Sequence, residues 1–165
     1  MTGLPDADAR AARLLQALER RGWTIAVAES LTGGLVTAAL VDVPGASRTV
    51  RGGVVAYATD LKASLLDVDG TLLDERGAVD PDVATAMAEG VRKRLGADVG
   101  LATTGVAGPD PQDGRAPGTV HLAVVGPGLA HTVRIDVSGA SRAEVRARAT
   151  AAVIDLALAQ VGSAG

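Results

Sequence analysis

Two short apolar runs each lead into a turn of hydroxyl side chains and glycines, and this repeat points to an α/β fold with its polar turns at strand ends. Thr24-Ile25-Ala26-Val27-Ala28 has strand length and enters Glu29-Ser30-Leu31-Thr32-Gly33-Gly34; the following Leu35-Val36-Thr37-Ala38-Ala39-Leu40 has the apolar density of a helix lying on a sheet. Asp98-Val99-Gly100-Leu101-Ala102-Thr103 runs in the same way into Thr104-Gly105-Val106-Ala107-Gly108-Pro109-Asp110. Glycines let backbone amides approach a ligand closely, and the first amides of a helix lack intrahelical acceptors and carry the positive end of its dipole. Glu29, Ser30, Thr32, Gly33 and Gly34 therefore describe an anion pocket with a serine beside it. The alternative is local: the polar side chains cap the helix and the glycines make a tight turn.

The rest of the chain supplies the other elements of such a sheet. Asp6 to Arg21 carries Ala11, Leu14, Leu15 and Leu18 at helical spacing and is closed by Gly22. Pro44 and Gly45 break the helix after the first turn and place Ser47 on a returning loop. Arg51 to Tyr57 reads as a strand, Thr59 to Leu66 as a short helix, and Asp67 to Val79 as a connecting loop. Asp80-Pro81 starts a further helix with a capping acid and a proline at its first position, and Val83, Met87, Val91 and Leu95 give it a buried stripe. Pro111 to Pro117 is polar and is expected to be a mobile flap. Gly118 to Val125 and Leu129 to Val137 form a hairpin around Gly126-Pro127-Gly128, and Ser141 with Glu144 makes a capping box for a long final helix. The hairpin must be antiparallel while the earlier crossovers can be parallel, so the expected fold is a single-domain, three-layer α/β/α sandwich on a central mixed sheet spanning 1–165, with residues 1–5 disordered.

With one tyrosine, one tryptophan and no phenylalanine, the core must be built from small aliphatic side chains packed closely. The absence of cysteine excludes disulfides, thiolate metal sites and a thiol nucleophile. The opening residues lack the basic and apolar regions of a secretory signal and no apolar run reaches transmembrane length, so a cytoplasmic protein with no membrane partner is expected. A net charge of −3 with scattered basic residues offers no footprint for nucleic acid. Arg92-Lys93-Arg94 reads as cations complementing the end of a helix.

Ligands of open α/β sheets collect at the carboxyl ends of the parallel strands. Ser30 to Gly34, Tyr57 to Lys62 and Thr104 to Gly108 would converge there. A hydroxyl attacks when a base takes its proton, and without a paired histidine the remaining base is a lysine whose pKa is depressed by burial or positive potential. Lys62, near a helix N-terminus, is that candidate; Ser47 and Ser30 are the candidate nucleophiles, and Tyr57 can relay a proton or orient the lysine. Backbone amides of the glycine-rich turns can hold an oxyanion or phosphate, and Arg142 can clamp a phosphate or carboxylate. His121 and His131 lack metal-ligand spacing and read as packing residues, so a metal-dependent hydrolase is disfavoured and no cofactor is expected.

The blocks Ala28-Glu29-Ser30-Leu31-Thr32-Gly33-Gly34, Val43-Pro44-Gly45-Ala46-Ser47, Gly53-Val54-Val55-Ala56-Tyr57 with Lys62, Gly77-Ala78-Val79 and Thr104-Gly105-Val106-Ala107-Gly108-Pro109 with Gly118-Thr119-Val120 resemble the C-terminal domain of the competence-damage-inducible protein CinA. Stand-alone members of that family include nicotinamide-nucleotide amidase. The resemblance implies an α/β/α fold, self-association, and hydrolysis of nicotinamide mononucleotide to nicotinate mononucleotide and ammonia. It likens Ser47 and Lys62 to the family's serine–lysine pair, and Ser30, Tyr57, Thr104 and Arg142 to residues around the substrate; which serine attacks stays open. Leu31 stands where the family commonly has cysteine, Asp80 where serine often occurs, and the Asp110 to Pro117 loop departs from the usual glycine-rich form. The alternative function is a nucleotide-binding regulatory or interaction module of the same type without turnover.

Overall fold

A computed structural model describes residues 7–163 of the protein, so the expectation for residues 1–5 lies outside the described residues. The elements in chain order are α1 (Ala7–Arg21), β1 (Ile25–Glu29), α2 (Leu35–Val41), a 3-10 turn (Ala46–Arg48), β2 (Val50–Val55), α3 (Thr59–Leu66), α4 (Gly70–Arg76), α5 (Pro81–Arg94), β3 (Val99–Gly105), β4 (Thr119–Gly126), β5 (Leu129–Asp136) and α6 (Arg142–Ser163). The signals that start them are visible in the side chains. Asp80 accepts from the Asp82 amide at 2.8 Å with Pro81 leading α5. The Ser141 amide donates to Glu144 at 2.7 Å and the Glu144 amide to Ser141 Oγ at 3.3 Å, a reciprocal capping box.

The sheet order is β2-β1-β3-β4-β5, with β1 parallel to β2 and β3, and β4 antiparallel to both neighbours. Side chains alternate across its faces, and the two faces differ in size. Ile25, Val27, Val99, Leu101, Val120, Leu122 and Val124 pack with α1, α2 and α6. Ala26, Ala28, Ala102 and Ala123 pack with α3, α4 and α5. Small residues let α5 pack closely on the sheet and on α3: a Cβ on Gly100 of β3 would stand 2.0 Å from the Ala88 carbonyl oxygen, and one on Gly90 of α5 1.9 Å from that of Leu66 in α3. The three-layer sandwich with a mixed sheet is thus present, and no described helix is long and apolar enough to cross a membrane.

Two segments differ from the sequence expectation. The stretch after α3 is not only a loop: Asp69 accepts from the Thr71 amide at 2.9 Å and starts the two-turn α4, whose apolar signal is confined to Leu72 and Leu73. The Pro111 to Pro117 segment is a tied turn, with Gln112 and Arg115 exchanging backbone bonds of 3.1 and 2.8 Å and the Asp113 carboxylate accepting from the Ala78 amide at 3.0 Å. Arg92 and Arg94 reach the carbonyls of Asp98 and Leu65, and Lys93 pairs with Glu89, so these cations fasten the end of α5. His131 is exposed; His121, on β4, is buried, and burial holds its pKa below the ordinary value.

Candidate active site

The parallel register sets Glu29 beside Val55 on one side and Thr103 on the other. The residues that follow each strand therefore meet at one end of the sheet. Ser30, first in its turn, donates its amide to the Thr103 carbonyl at 3.1 Å, and its own carbonyl accepts from Gly33 at 3.1 Å. Gly33 and Gly34 have φ of 56° and 104°, a left-handed backbone that glycine adopts without a Cβ penalty. The amides of Leu31 and Thr32 donate to no acceptor among the described residues. Thr32 is sealed inside; Leu31 forms part of the wall of a cavity.

Lys62 lies in the second half of the first turn of α3 and is 1% exposed. Its Nζ contacts Ser30 Oγ at 2.9 Å and the carbonyl oxygens of Ala56 and Tyr57 at 2.8 and 3.2 Å. Burial disfavours the charged ammonium and brings the Lys62 pKa down to about 8, with the nearby Asp113 carboxylate opposing the shift. A neutral amine has two hydrogens and one lone pair. As an ammonium, Nζ donates to Ser30 Oγ and to the Ala56 and Tyr57 carbonyls; once neutral it keeps two hydrogens for the carbonyls and its lone pair can face the Ser30 hydroxyl.

Ser30, Leu31, Tyr57, Gly105, Gly108 and Arg142 are among the residues around a cavity of about 540 Å3. Arg142 donates to the Gly108 carbonyl at 2.8 Å and to the Tyr57 hydroxyl at 3.0 Å. One helical turn later, Arg146 donates to the carbonyls of Leu31 at 2.9 Å and Thr32 at 3.3 Å. The start of α6 thus grips both glycine-rich turns. Another groove of similar size, about 570 Å3, lies between α1 and α6 around Arg13, Gln16, Arg20 and Asp155, but it brings together no nucleophile and base.

The sequence profile described as "CinA C-terminal domain" matches residues 7–161. The chain belongs to that family. A CinA-like protein of Frankia casuarinae is 51% identical over 143 residues, covering 87% of this chain and 33% of the relative. One of Gloeobacter violaceus is 50% identical, covering 92% of this chain and 36% of the relative, so the chain spans about a third of the length of the curated relatives it matches. Among solved structures, the competence/damage inducible protein CihA from Agrobacterium tumefaciens superposes with a TM-score of 0.91 at 31% identity, covering 97% of this chain and 99% of that one. The competence damage-inducible protein A (ComA) from Klebsiella pneumoniae gives a TM-score of 0.91 at 29% identity over 96% and 99% of the two chains.

Within this CinA C-terminal domain, the expected site residues separate into two groups. Ser30, Lys62, Tyr57, Gly105 and Arg142 come together at the cavity or directly behind it. Ser47 does not. It is exposed on the 3-10 turn that precedes β2, in a separate groove with Val41, Pro44 and Gly52, and six strand residues, ~20 Å at the rise of an extended chain, lie between that end of the sheet and Tyr57. The fold therefore pairs Lys62 with Ser30 rather than with Ser47.

Six further residues of the expected site take the following places. The buried Glu29 carboxylate accepts from the Val36 and Thr37 amides at 2.9 and 3.0 Å and from the Thr37 hydroxyl at 2.7 Å, so it caps α2 and takes the amides that the sequence offered to an anion. Thr32 is bonded to Thr103 at 2.8 Å, and Thr104 donates to the Ala78 carbonyl at 2.7 Å; both are buried supports. Gly33 and Gly34 shape the turn. Tyr57 orients Lys62 through its main-chain oxygen, while its phenol is held by Arg142. Arg146 and Asp113 were not singled out by sequence; the signal for Arg146 is its place four residues after Arg142, on the same helical face.

Proposed function

We propose that the chain is an amidohydrolase acting on the carboxamide of nicotinamide mononucleotide, with Ser30 as nucleophile and Lys62 as its base. The observation that carries this reading is the 2.9 Å contact between Lys62 Nζ and Ser30 Oγ, made by a buried lysine whose pKa is brought down to about 8. A lysine of that kind accepts a serine proton near neutral pH. Ser30 Oγ attacks the carboxamide carbon as its proton passes to Lys62. The C–N bond then breaks, and the departing amine takes that proton and leaves as ammonia. Water adds to the acyl-serine with Lys62 again accepting a proton, which releases nicotinate mononucleotide and restores Ser30.

The resemblance of the sequence blocks supplies the substrate class, and Arg142 at the cavity rim supports it. Two guanidinium nitrogens are engaged with Gly108 and Tyr57, yet the side chain remains exposed beside the cavity and can meet a phosphate. The test is incubation of purified protein with nicotinamide mononucleotide, following ammonia and nicotinate mononucleotide together. Equal formation of both, unaffected by chelator and lost in Lys62→Ala, is expected. Thermal stabilisation by the nucleotide without either product would replace this reading with a binding module.

A further inference from the structure

We propose that Tyr57 is a specificity residue: its ring is the face on which a cationic pyridinium stacks, so the site selects the oxidised, N-ribosylated ring over its neutral reduced form. The inference rests on the amidohydrolase reading above and adds the charge state of the substrate. The chain has one tyrosine and no phenylalanine, and its one tryptophan, Trp23, precedes β1 and so lies at the opposite end of that strand from Ser30. Tyr57 is 58% exposed and lines the cavity with Ser30, Leu31 and Arg142. A large apolar ring left open at a cavity is area for a ligand to cover.

The residue is fixed at both ends. Its main-chain oxygen accepts from Lys62 Nζ at 3.2 Å and its hydroxyl from Arg142 at 3.0 Å, so the ring has little freedom left to lose when a ligand arrives. The side chain thus runs from the base towards the guanidinium. In nicotinamide mononucleotide the pyridine stands between carboxamide and phosphate, and it takes the same place when the carboxamide meets Ser30 and the phosphate meets Arg142. The charges agree as well. A pyridine nitrogen bonded to ribose makes the ring a cation, and the negative face of a tyrosine attracts it. Among the described residues, the charged ones around the cavity are Asp110 and Arg142, one of each sign, which suits a ligand carrying both a pyridinium and a phosphate.

The test is calorimetric binding of nicotinamide mononucleotide and of its form reduced at the pyridine ring, which keeps carboxamide, ribose and phosphate but has lost the ring's charge and aromaticity. A Ser30→Ala background prevents turnover, and the fitted stoichiometry reports the folded fraction. With Tyr57 in place the oxidised nucleotide should bind ~10-fold more tightly than the reduced one, and mixing should give the weak charge-transfer absorption of a pyridinium stacked on a phenol. Tyr57→Leu should bring the two affinities within ~2-fold and remove the band, whereas Tyr57→Phe, which keeps a ring and loses the Arg142 bond, should retain a ~5-fold preference. Equal affinities with Tyr57 present, a preference that survives in Tyr57→Leu, or a loss in Tyr57→Leu that falls on both nucleotides alike would overturn the role of the ring. Ammonia release by the wild-type protein would then leave the amidohydrolase reading standing. A wild-type protein that neither binds nor hydrolyses the nucleotide would overturn both.

Discussion

Lys62 is held against three oxygens in a buried place that lowers its pKa, and this sets how the proposed reaction should depend on pH. A base acts in its unprotonated form, so kcat/KM for amide hydrolysis should rise with pH and level off above the lysine pKa of about 8. A profile that is flat across this range would remove Lys62 as the base. The two serines make opposite predictions. Ser30→Ala should lower turnover by ~10³-fold or more, while Ser47→Ala should stay within ~2-fold of wild type, both read by ammonia release. Lys62 was legible because a lysine at the start of a helix stands against the dipole, and no paired histidine offers another base for the hydroxyls. Ser47 was misplaced because its distance along the chain from Tyr57 hides its direction. β2 runs parallel to β1, so the loop that precedes it must lie at the opposite end of the sheet from Ser30.

At the scale of elements, α2 begins on a carboxylate taken from the preceding strand, and α5 lies against the sheet through residues without side chains. Glu29→Gln replaces one accepting oxygen by a donor facing amides, and should cost ~2 kcal/mol, a fall in melting temperature of ~4–8 °C by calorimetry. Gly100→Ala should cost ~3 kcal/mol in a urea titration, because the new Cβ meets the backbone oxygen of Ala88 and only movement of α5 makes room. The strands, the hairpin and the long helices could be read from apolar spacing and from caps such as Asp80 and the Ser141–Glu144 box. α4 could not, since two turns with adjacent leucines show no period. Nor could the role of Glu29: a carboxylate after a strand looks the same in sequence whether it meets a ligand or the next helix.

Across the whole molecule, the buried lysine links folding to pH. Lys62 titrates at about 8 when folded and ordinarily at 10.5, so between these values the unfolded chain holds a proton that the folded chain has released, and below pH 8 the folded chain holds it at a buried, unfavourable site. The burden on folding is full below the folded value, diminishes as pH rises from 8 to 10.5, and is gone above that; its size is about 3 kcal/mol. Stability measured by denaturant should therefore rise between pH 8 and 10.5 relative to Lys62→Met, in which this rise is absent. The layers that create this burial come from distant parts of the chain. Ser30 and Lys62 belong to its first half, whereas α6 supplies Arg142 and Arg146 at the site and Val145, Ala149, Val153 and Val161 to the core on one sheet face.

That arrangement gives the site a place in the order of synthesis. As the chain leaves the ribosome, the serine and the lysine emerge long before the helix that fastens their surroundings. A nascent chain ending before Arg142 has Ser30 and Lys62 but lacks the guanidinium grips and one wall of the core. Within this domain the segment that fastens the site is therefore made after the pair of side chains it fastens, and the cavity takes its shape only once α6 has docked.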